Sequence, residues 1–201
     1  MIAIIDYGIG NIESVKNALD RLDMKSKVSG DVTVLSKANG FILPGVGSAN
    51  EGMSNLKRLM LDIFIKDQIE KGKPFLGICL GMQLLFDTSE EGNTTCLGIL
   101  KGTVRKFRKE RKVPQIGWNE VIIHKINEKF VKKIPNPSCF YFINSYYCLP
   151  KDKSIIAGTS VYGDTFASFI VSSNIYATQF HQEKSGKAGF QLLLNFIRRC
   201  I

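Results

Sequence analysis

At 201 residues, 44% of them hydrophobic, the chain is long enough to bury a substantial core as one domain, residues 1–201. The early apolar run "MIAII" meets Asp6 after five residues, which excludes a signal-peptide core or a membrane span and predicts a soluble, cytoplasmic protein. Five cysteines, an odd number with no CxxC pair, argue against a disulfide framework or a structural zinc site, and the net charge of +9 comes without any nucleic-acid-binding motif.

The first half alternates strand and helix patterns. "IAII" reads as a buried strand, followed by the turn "DYGIGN" and a helix from about Ile12 to Leu22. The strand "GFILPG" leads into a long amphipathic helix from about Glu51 to Lys71, stopped by Gly72 and Pro74. "PFLGI" is another buried strand and "GMQLLFDTS" another helix. Next comes "KGTVRKFRKERK", Lys101 to Lys112, with seven basic residues and one glutamate. It reads as a solvated loop or strand edge; a partner-docking edge or attraction for a phosphorylated substrate is the other reading.

The second half carries short strands, "EVIIH", "CFYFIN", "SIIAGTSV", "FASFIV" and "IYATQF", and closes with a helix from about Lys187 to Arg199. The pattern predicts an α/β fold: a mostly parallel central sheet with flanking helices and an added antiparallel β portion.

Three segments carry chemistry. In "KPFLGICLGMQLLF" the apolar run stops at Cys79, with Gly77 and Gly81 on either side. A strand, a tight glycine-flanked turn and a helix form a nucleophile elbow, which exposes a side chain at the strand's carboxyl end, beside helix N–H groups that favour negative charge on sulfur. By itself Cys79 reads better as a buried structural cysteine. His181 follows the strand "IYATQF", and Glu183 lies two residues on, so both point to one side of an extended segment. Nucleophile, base and orienting carboxylate are then all present. His124, the other histidine, sits among charges at a strand end and reads as a surface residue. "LPGVGSAN" also follows a strand; it is either a plain strand-to-helix turn or a source of backbone N–H donors for an oxyanion.

Together, "GICLGMQ" and "FHQEKS" resemble the class I, or triad, glutamine amidotransferases, which have a flavodoxin-like fold. "IDYGIGNIESV", "LPGVG", "VPQIGWNEV" and "YFINSYY" narrow the resemblance to the glutaminase subunits of imidazole glycerol phosphate synthase, the HisH family, over essentially the whole chain.

The resemblance implies that Cys79 attacks the glutamine γ-amide, His181 protonates departing ammonia and Glu183 orients His181. It implies oxyanion donors from the Leu80 N–H and from the loop Gly45-Val46-Gly47, acting as a switch set by the loaded partner. Gln83, Glu91, Ser145 and Tyr146 match positions that hold the substrate. No cofactor or metal is implied, nor any nucleic-acid or membrane partner. Ammonia would pass to a (β/α)8 cyclase subunit, HisF-like, forming a heterodimer that converts PRFAR to imidazole glycerol phosphate and AICAR in histidine biosynthesis. Trp118, Asn119, Tyr141, Asn144 and Lys184 would lie at that interface near the ammonia exit; taken alone, Trp118 reads better as a core aromatic.

Two positions depart from the family pattern. Gln182 stands where most members have proline, and Asn144 where most have histidine. They leave open a paralogue that supplies ammonia to a bacterial surface sugar, and a non-catalytic scaffold on the same fold is a further reading.

Overall fold

The computed structural model describes residues 1–108, 112–125 and 129–201. The fold is organised by four strands that are buried along their whole length: β1 (Ile2–Ile5), β3 (Gly40–Leu43), β4 (Phe75–Ile78) and β13 (Ile175–Thr178). The polar β2 (Ser26–Ser29) is only partly covered and takes the edge. These strands run parallel in the order β2-β1-β3-β4-β13, a doubly wound arrangement.

Side chains alternate between the two faces of each strand, so each strand feeds two cores. Ile2, Ile4, Ile42, Leu76 and Tyr176 pack with α1 (Ile12–Asp20) and α6 (Gly186–Ile197). Ala3, Ile5, Phe41, Phe75 and Ile175 pack on the opposite side with α3 (Ala49–Arg58) and α4 (Leu61–Glu70). The short α2 (Val32–Leu35) is capped by the Asp31 side chain, which accepts from the Thr33 N–H.

The remaining strands are β5 (Thr88–Ser89), β6 (Thr94–Thr95), β7 (Gly102–Lys106), β8 (Gln115–Ile123), β9 (Ser138–Asn144), β10 (Tyr146–Pro150), β11 (Ile156–Tyr162) and β12 (Asp164–Ser172). β12 joins the two regions: its last residues pair antiparallel with β13, while β11 pairs along most of it and β10 meets it at Ala167. β8 and β9 continue outward from β11. Among the described residues no helix is long and apolar enough to cross a membrane.

Three sequence expectations are corrected. The single helix over 51–71 is two helices, because Met60 adopts a left-handed φ of 56° between them. The break rephases the apolar stripe: it buries Leu61, Ile65 and Ile69 while Met60 and Ile63 face solvent. The helix in "GMQLLFDTS" is confined to α5 (Leu80–Gln83), since the carbonyls of Leu84, Leu85 and Phe86 accept from the N–H groups of residues 97–100 and have no capacity to extend it. The basic run is neither a loop nor an edge at its start. It forms β7, paired with β10 on one side and β5 on the other. Two of its cations are met by acids: Lys101 reaches Asp87 at 3.0 Å and Arg108 reaches Glu90 at 2.9 Å. Residues 109–111 of the run lie outside the described residues.

Candidate active site

Parallel strands bring their carboxyl ends to one edge of the sheet, and the chain leaves that edge at Tyr7 after β1, Pro44–Gly47 after β3, Cys79 after β4 and Gln179–Glu183 after β13. Cys79 is the hinge between β4 and α5, with φ 55° and ψ −109°. An L residue rarely adopts this conformation; three backbone bonds impose it. The Cys79 N–H donates to the Thr178 carbonyl at 2.8 Å, and its own carbonyl accepts from Met82 and Gln83 at 3.1 and 3.2 Å. The turn needs glycine at 81, where a Cβ would collide with the Leu43 carbonyl oxygen.

His181 is 2% exposed, and its Nδ1 lies 2.8 Å from Glu183 Oε1. The Glu183 side chain is itself buried. Backbone bonding fixes the pair: the His181 N–H donates to the Tyr141 carbonyl at 2.9 Å, and Ser185 Oγ donates to the His181 carbonyl. Burial alone lowers the His181 pKa. Hydrogen bonds to Cys79 and Glu183, and their negative charge, outweigh it and raise the value from 6.5 to about 10. At neutral pH the imidazole therefore holds its proton beside the sulfur.

A pocket of about 260 Å³ opens in front of these groups. Cys79, Leu80, Gln83, Glu91, Asn144, Ser145, Tyr146, His181 and Lys184 line it, with Val46 and Gly47 at one side. Gly45 stands behind: it is buried, and a Cβ there would fall 2.7 Å from Leu80 Cβ and 2.8 Å from the Gly81 nitrogen. Its lack of a side chain lets the "LPGVG" loop lie directly on the start of α5. Glu91 joins the loop to the pocket wall by accepting from the Ala49 N–H at 2.7 Å, at the first turn of α3.

The other sequence-selected residues divide. Trp118 on β8 is 59% exposed and stands edge-on to Tyr141 across the strand pair, ring centroids 6.0 Å apart, so it is not a core aromatic. Asn119 is away from the pocket and donates to the Val161 carbonyl at 2.9 Å. Asn144 does not share the Trp118 surface; it is buried in the pocket wall and donates to the Tyr146 carbonyl at 2.9 Å. Gln182 is fully buried, and its amide donates to Thr178 Oγ1 at 3.2 Å, tying the segment between His181 and Glu183 back to β13. His124 is exposed and bonded to Thr159 Oγ1 at 2.8 Å.

Sequence reasoning missed Gln179 and Ile143. Gln179 Nε2 and the Ile143 carbonyl each lie 3.6 Å from Cys79 Sγ. A glutamine in the otherwise apolar run "IYATQF" was the available signal for the first; for a backbone carbonyl the sequence carries none.

Comparison with known proteins agrees with this geometry. The family model for class I glutamine amidotransferases matches residues 3–200. The chain is 43% identical over 202 residues to the imidazole glycerol phosphate synthase subunit HisH of Dehalococcoides mccartyi, covering 100% of this chain and 98% of that protein. It is 45% identical over 198 residues to the HisH subunit of Aquifex aeolicus, covering 98% and 95%. Among solved structures, PurLQS from Thermotoga maritima superposes with a TM-score of 0.80 at 16% identity, over 98% of this chain and 97% of that one. The glutaminase domain of Trypanosoma brucei CTPS superposes with a TM-score of 0.67 at 15% identity, over 98% and 93%; both likenesses speak to the fold. The chain belongs to the class I glutamine amidotransferases and, within them, to the HisH family.

Proposed function

We propose that this chain is the glutaminase subunit of an imidazole glycerol phosphate synthase, working through a Cys79–His181–Glu183 triad. The observation that carries the reading is the buried 2.8 Å His181–Glu183 pair beside an elbow cysteine, at the floor of a pocket. Cys79 sulfur attacks the γ-carbonyl carbon of glutamine, and the carbonyl oxygen takes up negative charge. The Leu80 N–H at the start of α5, with a backbone N–H from the Gly45–Gly47 loop, stabilises that charge. His181, protonated at neutral pH, gives its proton to the leaving nitrogen as the C–N bond breaks, releasing ammonia and leaving a glutamyl thioester. The now neutral imidazole takes a proton from water, which attacks the thioester; glutamate leaves, the second water proton goes to solvent, and Cys79 and His181 return to their starting protonation.

Substrate specificity follows from charge and hydrogen-bonding capacity at the other end of the pocket. Glu91 and the Gln83 oxygen suit the α-ammonium of glutamine, and Ser145 and Tyr146 suit its carboxylate. The exposed Trp118 with Tyr141, and Lys184 at the pocket wall, form the docking side for a (β/α)8 cyclase subunit that receives the ammonia in the cytoplasm.

The test uses the full chain with a HisF-type barrel. Glutamine hydrolysis should be slow for the chain alone and rise strongly when the barrel carries its ligand. Cys79→Ala should abolish hydrolysis and still form the complex; persisting stimulated hydrolysis would sink the triad. Rescue of a histidine auxotroph lacking this subunit is expected, and failure of rescue with intact glutaminase activity would assign the ammonia to a different acceptor.

A further inference from the structure

One amide side chain outside the triad, Gln179, reaches the nucleophile, and a second, Gln83, orients it. Gln179 is fully buried, and its backbone N–H is held by the Ser168 carbonyl at 2.9 Å. Its Oε1 accepts from Gln83 Nε2 at 3.0 Å, and the same Gln83 nitrogen donates to the Tyr146 carbonyl at 3.1 Å. Both hydrogens of the Gln83 amide are thereby spent. Only its oxygen is left for the pocket, and Gln179 has to present its oxygen to Gln83. The Gln179 NH2 consequently points at Cys79 Sγ, 3.6 Å away.

The Ile143 carbonyl also lies 3.6 Å from the same sulfur. The two contacts respond oppositely to charge. A thiol can donate to Ile143; a thiolate cannot, and the carbonyl oxygen then faces negative charge. The N–H from Gln179 strengthens as sulfur becomes negative, because hydrogen bonds to ionised acceptors are stronger than neutral ones. Low local polarity makes the difference larger.

We infer that Gln179 is a positioning residue for the nucleophile: its amide, oriented by Gln83, aims the Cys79 sulfur and holds negative charge on it, offsetting the Ile143 carbonyl. This rests on reading Cys79 as the nucleophile of the proposed glutaminase. The titratable groups around the sulfur are Tyr7 beyond β1, Cys148 on β10, and His181 with Glu183 after β13. Glu91 and Lys184 stand across the pocket. Substitution at 179 leaves all of them in place.

The experiment is the pH profile of Cys79 alkylation by iodoacetamide, read by mass spectrometry at the Cys79 peptide, for the wild-type chain and Gln179→Met. Methionine matches the unbranched shape of glutamine without the donor. The pH of half-maximal alkylation should rise by about one unit in Gln179→Met, a roughly tenfold slower reaction below it. With the barrel partner present, kcat for glutamine should fall about tenfold and KM should change little. A folded Gln179→Met whose alkylation profile overlays the wild type overturns the inference.

A second measurement needs no variant at 179. In 15N-labelled wild-type protein, the Gln179 side-chain amide signals should move over the pH range in which alkylation rises, and that movement should vanish in Cys79→Ala. Amide signals indifferent to pH overturn the inference even if Gln179→Met fails to fold. Alkylation consumes no glutamine, so a shifted profile in a chain that never hydrolyses glutamine would overturn the glutaminase reading and leave this one standing.

Discussion

Replacing Cys79 by glycine should give a more stable protein than replacing it by alanine. Both substitutions remove the thiol and its contacts with Gln179, Ile143 and His181, so their difference isolates the backbone. Position 79 is held at φ 55° and ψ −109° by its bonds to Thr178, Met82 and Gln83. A residue with a Cβ costs about 1–3 kcal/mol in such a conformation. Glycine relieves that strain, less about 0.5–1 kcal/mol for the extra freedom it has in the unfolded chain. The net expectation is about 1 kcal/mol in favour of Cys79→Gly, or about 2–4 °C in Tm for a chain of this size. Thermal melts by circular dichroism, with urea midpoints as a check, measure it on two proteins that are equally inactive. If Cys79→Gly melts at or below Cys79→Ala, the elbow is unstrained and the argument that the fold forces the cysteine outward fails.

Glu183→Gln should move the alkaline limb of glutamine hydrolysis to lower pH, because it removes one of the two groups that raise the His181 pKa to about 10; a limb that stays in place refutes the pairing. Linkage adds a stability readout: folded His181 keeps its proton to about pH 10, whereas the unfolded residue loses it near 6.5. Its contribution is therefore complete below 6.5 and lost as pH rises through about 10, and melts across this range should show a flatter decline in Glu183→Gln than in wild type. Tyr7→Phe should raise stability by about 1 kcal/mol, since the buried Tyr7 hydroxyl has no hydrogen-bond partner among the described residues; a lower Tm would refute this.

The buried central strands of the fold were readable because their causes are local. "IAII", "GFIL" and "IYAT" are strands buried on both faces, and continuous apolar runs say so directly. The split at Met60 was not readable, since a continuous apolar periodicity conceals a one-residue change of phase. Nor was the early end of α5, which is decided by loop N–H groups that arrive from residues 97–100.

The sequence by itself determined the chemistry available: one cysteine in a glycine-flanked turn, and a histidine with a carboxylate two residues on. Their spacing requires only local geometry, but the His181–Glu183 pair forms in a short 3-10 turn over Gln182–Lys184 that His181 caps, and not in the extended segment expected from the sequence. Tertiary structure alone decided that these segments meet. β4 and β13 are neighbours in the sheet although the long β5–β12 excursion separates them in the chain, and their parallel pairing places Cys79 and His181 at the same edge. The same packing carries Gln179 and the Ile143 carbonyl to the sulfur. Which polar groups surround a nucleophile depends on strand neighbours and register, which are long-range properties, and those a linear pattern does not encode.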